Sequence, residues 1–290
     1  MQNNINWELF GYNEEVDSSS DPGEYWQNRL TSNYSLEGTG FQTLGQEYNK
    51  WMYRIRKVIV KRVVKRWISE LNRKDVFDIG SGTGFYIDMW IELGAARVRG
   101  SDITDVAVLK LRENYPSNEF FKLDIGQDVL PDQLSARRFD IISAFDVLFH
   151  ITDDVRYRNS ILNINRLLKE GGIFLFSENF LHRDALRSQH QVSRPLVSIE
   201  RILQESGFKI LDRIPMFVIM NAPVDTNNRL LPSTWKLIRT TAKKGKFASD
   251  VTGCMLYPLE LILTSITKEG PSTELMICKK FKGIHITSEG

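Results

Sequence analysis

The sequence predicts an α/β protein with a doubly wound, mostly parallel, Rossmann-like sheet of seven strands. Short apolar segments alternate with segments of helical periodicity from residue 75 onward, as in parallel sheets with crossover helices. A turn containing Gly80, Gly82 and Gly84 joins the first strand to a helix. An N-terminal helical cap precedes the sheet, and an insertion at 221–268 separates its last two strands.

Composition supports a folded protein without a strong charge bias. The chain has 290 residues, 42% hydrophobic and 26% charged, enough for the core of one large domain or two small ones. The 38 basic and 36 acidic side chains give a net charge of +2, so nucleic acid or a membrane surface is not indicated as a partner. Cys254 and Cys278 form no CxxC pair, which argues against cysteine-bound zinc.

The chain shows no signal for secretion or membrane insertion. The start has neither a basic region nor an apolar core typical of a secretory signal. Apolar runs fall short of the roughly 20 residues that a helix needs to span a bilayer. We therefore expect no membrane span and a cytoplasmic location.

Residues 1–74 are expected to form an N-terminal unit in three parts. The first 22 or so are acidic and polar, and we expect them to be loosely ordered. Large apolar residues between turn glycines then predict a cap of short helices. Residues 51–71 carry apolar side chains at intervals of three and four, which predicts an amphipathic helix. Its basic face, 54–66, is either solvated or a surface that binds phosphates or an anionic membrane.

Residues 75–290 are expected to form the core. Strands are expected at 75–79, 97–103, 119–123, 139–145 and 173–177, and helices at 85–93, 105–114 and 153–169. The glycine pair Gly171 and Gly172 is expected to end the last of these helices. A helix at 198–206, an apolar stretch at 208–220 and a strand at 273–281 complete the pattern. The insertion at 221–268 is a natural place for a lid or a homodimer surface.

The glycine turn is the most informative segment. Glycines let the backbone approach a ligand, and the helix that follows offers free N–H groups to an anion. The dinucleotide fingerprint G-x-G-x-x-G is not met, because its last position is Phe85. Asp78 precedes the turn, where it would repel a pyrophosphate and attract an ammonium or sulfonium group.

This segment resembles the class I S-adenosylmethionine-dependent methyltransferases of the small-molecule type. Their glycine motif reads like Asp78 to Gly84 here, and Asp102 stands where the family places an acid that accepts both ribose hydroxyls. Asp124 and Ile125 resemble the adenine-binding turn, with Asp124 near the exocyclic amine, and 139–150 resembles the fourth strand and its loop. The structural alternative is that Asp78 caps a helix, Asp102 is a surface acid and Asp124 forms a turn.

The resemblance implies S-adenosyl-L-methionine as the cofactor. The cofactor-binding residues that it implies are Asp78, Gly80, Ser81, Gly82, Thr83, Gly84, Phe85, Asp102, Ile103, Asp124, Ile125, Phe145 and Asp146. In the cap, Tyr25 and Arg29 are expected to close over the methionine end, with Arg29 taking its carboxylate. The alternative is that the cap aromatics only pack against the sheet edge.

The methyl acceptor must be aligned and, if it is a hydroxyl, lose a proton. His150 is the first candidate for the general base, and packing beside the cofactor is its alternative role. His182 and His190 follow the fifth strand and are further candidates. Asp146, Glu178 and Asn179 resemble the magnesium site of catechol-type members, but the family's Asp-Asn pair is Glu-Asn here, so we expect no metal.

The leading hypothesis is a methyltransferase for a small molecule, with O-methylation of a sugar, glycoside or secondary metabolite in natural product biosynthesis. An RNA or protein methyltransferase that uses the basic helix is the first alternative. The loop after the fourth strand reads Asp146-Val-Leu-Phe, unlike the Asn/Asp-Pro-Pro-Tyr pattern used for flipped bases. A non-catalytic module that binds the cofactor is the second alternative.

Overall fold

A computed structural model of the chain describes residues 22–281. The expected loose order of the first residues concerns 1–21, which lie outside the described part. Within the described part, no helix combines the length and apolar character that a membrane crossing requires.

One seven-stranded sheet forms the centre, which confirms the predicted fold class. Its strands are β1 Asp75–Ile79, β2 Arg97–Asp102, β3 Glu119–Lys122, β4 Phe139–Phe145, β5 Leu168–Glu178, β8 Phe208–Pro215 and β9 Glu274–Lys280. Their order is β3-β2-β1-β4-β5-β9-β8. The first five strands are parallel, and β9 runs antiparallel to both of its neighbours. A short ribbon of β6 Leu186–Arg187 and β7 Val192–Ser193 follows β5.

Helices cover both faces of this sheet. They are α1 Pro22–Ser32, α2 Leu36–Thr39, α3 Gly45–Trp67, α4 Phe85–Glu92, α5 Asp105–Asn114, α6 Asp132–Ser135, α7 Asp154–Leu167, α8 Leu196–Glu205, α9 Leu230–Ala242 and α10 Lys246–Ile266. Alternate residues of β1 enter two separate hydrophobic clusters, Val76 on one face and Phe77 on the other. This period of two is what a sheet buried on both faces requires.

The predicted end of the helix before β5 was wrong. Helix α7 ends at Leu167, and β5 begins at Leu168 and runs through Gly171 and Gly172. Gly171 has a φ of 73°, and the pairing of β4 with β5 shifts register in this region. The two glycines therefore lie at an irregularity within β5. Such an irregularity, like the end of a helix, favours a residue that can adopt positive φ.

The amphipathic helix starts earlier and stops sooner than its pattern predicted. Helix α3 begins at Gly45, and Ile68 is already extended. Its apolar face lies in the same hydrophobic cluster as Val76 and Ile141 of the sheet. The N-terminal unit is therefore packed onto the core.

The insertion supports α3. Ser249 Oγ accepts a hydrogen bond from the Tyr48 amide at 3.0 Å, and a Cβ on Gly253 would lie 2.3 Å from Trp51 Cδ1. The buried carboxylate of Glu260 accepts amide hydrogen bonds from Val218, Ile219 and Met220. These contacts hold α10 against α3 and the end of β8.

Candidate functional site

The turn after β1 has a backbone that only glycine adopts without strain. Gly80, Gly82 and Gly84 have φ values of 69°, 52° and 89°. A Cβ on Gly80 would lie 2.4 Å from Val147 Cγ2, and one on Gly82 would lie 3.1 Å from Thr39 Cγ2. The turn is tied to β2 by the Ser81 amide, which donates to the Ser101 carbonyl at 2.8 Å. The backbone therefore lies tightly between the loop after β4 and the cap.

Asp78 lies under this turn with one carboxylate oxygen unsatisfied. Its Oδ1 accepts from Ser143 Oγ at 2.5 Å, whereas Oδ2 is buried without a hydrogen-bond partner among residues 22–281. Burial raises the pKa of Asp78 to about 7. A cationic group placed near Oδ2 would stabilise the ionised carboxylate.

Asp102, at the end of β2, fixes the turn from the other side. Its Oδ2 accepts from the Gly82 amide at 2.9 Å, and its Oδ1 accepts from the Thr104 amide and hydroxyl at 3.0 and 2.8 Å. Burial raises the pKa of Asp102, and these donors oppose that effect. The same residue lines a cavity at the carboxyl ends of the strands.

This cavity has a volume of about 120 Å³ and is mainly apolar. Core residues that line it are Ile79, Gly80, Gly82, Asp102, Ile103, Leu123, Asp124, Ile125, Val147, His150 and Ile151, and cap residues are Pro22, Trp26, Leu30 and Thr39. Among the described residues, those of the insertion contribute nothing to the cavity wall. The insertion therefore does not form a lid over this cavity. Ligand sites of open α/β sheets lie at this edge.

The predicted adenine turn borders the cavity. Asp124 Oδ1 accepts from the Gly126 amide at 3.0 Å, and Oδ2 is paired with Arg156. Asp124 is therefore part of an ion pair at the cavity wall, and Ile103 and Ile125 give that wall apolar surface.

The cap closes the cavity through Trp26, Leu30 and Thr39. Tyr34 donates to the Gly82 carbonyl at 3.0 Å, which ties the cap to the glycine turn. Arg29 donates to the carbonyls of Gly38 and Gly40, both at 2.6 Å, and to Tyr25 Oη. Its guanidinium thus orders the cap itself and, like Tyr25, is absent from the cavity wall.

Of the three candidate histidines, only His150 lines the cavity. Its Nδ1–H donates to the His190 carbonyl at 2.9 Å, because a carbonyl can only accept, and this leaves Nε2 as an acceptor. Its ring packs edge-on against Trp26 at 4.8 Å, and burial lowers the pKa of His150 to about 3. His150 is therefore a neutral imidazole at physiological pH.

The other two histidines lie away from the cavity wall. His190 stacks on Tyr25 with ring centroids 4.8 Å apart. His182 is exposed, and its Nδ1 lies 2.6 Å from Asp225 Oδ2 at the start of the insertion. The structure therefore places the His190 backbone beside His150, whereas His182 lies apart from both.

The remaining expected residues support the turn or the loop after β4. Ser81 Oγ donates to the Asp78 carbonyl, Thr83 and Gly84 complete the turn, and Phe85 begins α4 beside Tyr53. Phe145 is buried against Tyr86. Asp146 has a φ of 57°, and its carboxylate accepts from Ser177 and pairs with Arg56 Nε at 2.8 Å. None of these residues lines the cavity.

The sequence pattern did not identify Arg56 as a residue of the site, because it placed Arg56 on the basic face of the amphipathic helix. Arg56 is buried, and its guanidinium lies over the rings of Tyr53 and Phe217. Part of the rest of that face is ion-paired, because Lys57 and Lys61 share Glu92, and Arg66 pairs with Asp212. The cavity residues Thr39, Val147 and Ile151 were also missed, and adjacency to the β4 end was the only signal for the last two.

Glu178 and Asn179 face the interior. Tyr157 donates to Glu178 Oε2 at 3.1 Å, and Asn179 bonds with Ser193 and Thr273. Burial raises the pKa of Glu178 to about 8. Across residues 22–281 no cluster of three or more His, Cys, Asp or Glu side chains is arranged to hold a metal ion.

Known proteins share this domain. Residues 77–176 match the model of a methyltransferase domain family. The chain is 29% identical over 113 residues to ribosomal protein L11 methyltransferase of Fusobacterium nucleatum subsp. nucleatum, a match that covers 37% of this chain and 33% of that protein. The chain thus spans about a third of the length of the curated relatives it matches.

Solved methyltransferases have the same fold. Magnesium protoporphyrin IX methyltransferase (ChlM) from Synechocystis PCC 6803, with bound SAM, aligns with a TM-score of 0.54 at 15% identity over 91% of this chain and all 100% of its own. N-methyltransferase NodS from Bradyrhizobium japonicum WM9, with S-adenosyl-L-homocysteine, aligns at 0.52 and 13% identity with the same two coverages, 91% and 100%. The domain match, the strand order and the glycine turn agree, and residues 77–176 carry a methyltransferase domain on the fold of the class I S-adenosylmethionine-dependent methyltransferases.

Proposed function

We propose that this protein transfers a methyl group from S-adenosyl-L-methionine to a small-molecule acceptor, with a hydroxyl of a sugar, glycoside or secondary metabolite as the expected target. The observation that carries the proposal is the cavity at the strand ends, which the cap closes with Trp26, Leu30 and Thr39. A cap over an apolar cavity excludes water and suits a compact acceptor. A cytoplasmic location belongs to the same proposal and agrees with the unpaired Cys254 and Cys278.

The residues at the cavity fit the cofactor. Asp78 lies under the glycine turn and not on the cavity wall, and its unpartnered Oδ2 suits a cationic group, while Gly80 and Gly82 present their backbone to the cavity. Asp102 is proposed to accept the ribose hydroxyls, and Asp124 is proposed to lie beside the adenine amine with Ile103 and Ile125 against the ring. When bound, the cofactor supplies an activated methyl group on its sulfonium.

His150 is proposed to position the acceptor. Its fixed tautomer presents Nε2 as a hydrogen-bond acceptor for a hydroxyl. A pKa of about 3 makes it a weak base, so orientation of the acceptor is the contribution that the structure supports better. His182 and His190 lie off the cavity wall, and we assign neither of them a catalytic role.

Methylation of a protein is the second candidate, because several curated relatives are named ribosomal protein L11 methyltransferase. Those matches cover only about a third of each relative. RNA methylation through the basic helix is disfavoured by the ion pairs of Lys57, Lys61 and Arg66 and by the burial of Arg56. A non-catalytic module would bind the cofactor without turnover.

The test compares acceptor classes directly. Purified protein with methyl-labelled cofactor is offered a panel of hydroxylated small molecules, ribosomal proteins and RNA, and labelled products are identified by mass spectrometry. We expect label in a small molecule. Label only in protein or RNA would contradict the proposal, and tight cofactor binding without any product would favour the non-catalytic module.

A further inference from the structure

The outward face of α10 is a continuous apolar stripe. The exposed residues Phe247, Val251, Met255, Leu259, Ile262 and Ile266 follow one another at intervals of three or four, so they share one side of the helix. From Val251 to Ile266 the helix carries one charged residue, Glu260, and that side chain is buried. At about 1.5 Å per residue the stripe is roughly 28 Å long.

The orientation of this stripe is fixed by contacts on the opposite side of the helix. Tyr257 packs against Trp51 of α3 with ring centroids 5.4 Å apart, and Glu260 holds the amides after β8. The stripe therefore faces outward because the inward side of α10 is already used.

The stripe is self-complementary when two copies run antiparallel. Phe247 and Ile266 are equally far from the point midway between Leu256 and Tyr257, and so are Val251 and Ile262. A twofold axis through that point places Phe247 opposite the partner's Ile266 and Val251 opposite the partner's Ile262. A twofold interface requires this reciprocity.

The exposed surface area agrees with such a pairing. The exposed area of the six side chains is roughly 650 Å² per copy, against about 800 Å² buried by each partner of a standard stable interface. Charged residues are confined to the two ends of the stripe, where the exposed Lys244 precedes α10 and Glu269, which pairs with Arg213, follows it.

We propose that the protein forms a homodimer through antiparallel pairing of this face of α10. The pairing is independent of the methyl-transfer proposal, because no cavity residue lies on α10. It assigns the insertion two functions: its inner side supports α3 and its outer side joins two copies.

The first test measures mass in solution by sedimentation velocity. We expect the wild-type protein to be a dimer at micromolar concentration and the double variant Met255→Glu, Ile262→Glu to be a monomer, with a dissociation constant raised by more than about 100-fold. Leu109→Glu on α5 is the matched control, since Leu109 and Ile262 are both 59% exposed. Retained binding of S-adenosyl-L-homocysteine shows that both variants are folded.

A wild-type monomer at every concentration, or a double variant as dimeric as the wild type, would overturn the proposal. A monomer that floats with anionic phosphatidylserine vesicles would also overturn it and would assign the stripe to a membrane surface. Failure of cofactor binding in the wild type would count against the methyltransferase proposal only.

The second test measures register. The antiparallel axis places Leu259 opposite the partner's Cys254, which is exposed. Under mild oxidation we expect Leu259→Cys to give a covalent dimer, and Cys254→Ser in the same chain to abolish it. Ser265→Cys is the control, because the exposed thiol that it introduces lies about 9 Å along the helix from position 259, which faces Cys254. A dimer that cross-links through the Ser265 position instead would contradict the antiparallel register.

Discussion

Two carboxylates at this site, those of Asp102 and Asp78, have properties that relate both to the glycine turn and to a ligand. Asp102 fixes the glycine turn through the Gly82 amide and also lines the cavity. Asp78 keeps one oxygen buried and unpartnered, a costly arrangement that a cationic ligand relieves. We therefore expect charge at these two positions to affect ligand binding more directly than it affects packing.

Replacing Asp102, the proposed ribose-binding acid, is expected to weaken cofactor binding. Asp102→Asn removes a charged acceptor, and hydrogen bonds to charged groups contribute about 1.5–3 kcal/mol, so affinity should fall about 10- to 150-fold. The affinity is measured by titration calorimetry with S-adenosyl-L-homocysteine. Asp105→Asn, a neighbouring exposed position, should bind as the wild type does. Unchanged affinity of the Asp102 variant would remove Asp102 from the binding site.

Cofactor affinity is expected to rise with pH from about 6 to 8. The pKa of Asp78 is about 7 without ligand, so below that pH the carboxyl is protonated and must lose its proton before it attracts a cationic group. Each unit below pH 7 should therefore weaken binding by up to tenfold, and the dependence levels off above pH 8. Calorimetry across this range tests it. The same slope in Asp78→Asn would show that another group titrates.

Loss of His150 is expected to reduce turnover only moderately. A general base contributes about 10²–10⁴-fold, whereas a hydrogen bond that orients the acceptor contributes less, so His150→Gln should lower kcat by less than about 100-fold. Steady-state kinetics with the identified acceptor, from pH 5.5 to 8, provide the measurement. A larger loss, together with disappearance of an acidic limb in the wild-type profile, would identify His150 as the base.

At the scale of elements, the glycine turn is set by its neighbours as well as by its own sequence. The Asp146 backbone has a positive φ, and its ion pair with Arg56 of α3 holds the loop that presses Val147 over Gly80. The cap approaches from the other side through Thr39 and Tyr34. Three elements distant in sequence therefore define one turn.

Gly80→Ala is expected to damage both stability and binding. Its φ is 69°, and the added Cβ would meet Val147 at 2.4 Å. Gly94→Ala is the matched control, because Gly94 has a φ of 82° and nothing within 4 Å of an added Cβ. The control should lose about 1 kcal/mol of unfolding free energy, and Gly80→Ala should lose a further 1–3 kcal/mol and bind cofactor poorly. Equal denaturation midpoints for the two variants would rule out the steric contribution.

At the scale of the whole molecule, α3 joins the cap, the sheet and the insertion. Its apolar side lies in one hydrophobic cluster with residues of β1, β4 and α9. Glu260 of α10 satisfies the amides of Val218, Ile219 and Met220 after β8. These connections predict that the described part of the chain unfolds as one cooperative unit.

Glu260→Leu tests this coupling. It leaves buried amides without an acceptor, each of which costs about 1–3 kcal/mol, so unfolding free energy should fall by about 3 kcal/mol or more. Glu260→Gln keeps one acceptor oxygen and should lose less. Thermal unfolding followed by circular dichroism and by tryptophan fluorescence should show one coincident, lowered transition. Separate transitions for the two signals would show that the insertion unfolds independently.

The sequence alone determined the doubly wound, mostly parallel sheet and the residues at its strand ends, because alternation, helical periodicity and glycine turns are local consequences of backbone geometry. The positions of Asp78, Asp102 and Asp124 followed from the same local order. Only the tertiary structure decided that Arg56 is buried, that Arg29 bonds within the cap, that the insertion packs on α3 and that His150 is held neutral. These properties depend on burial and on partners far apart in sequence, which no local pattern records.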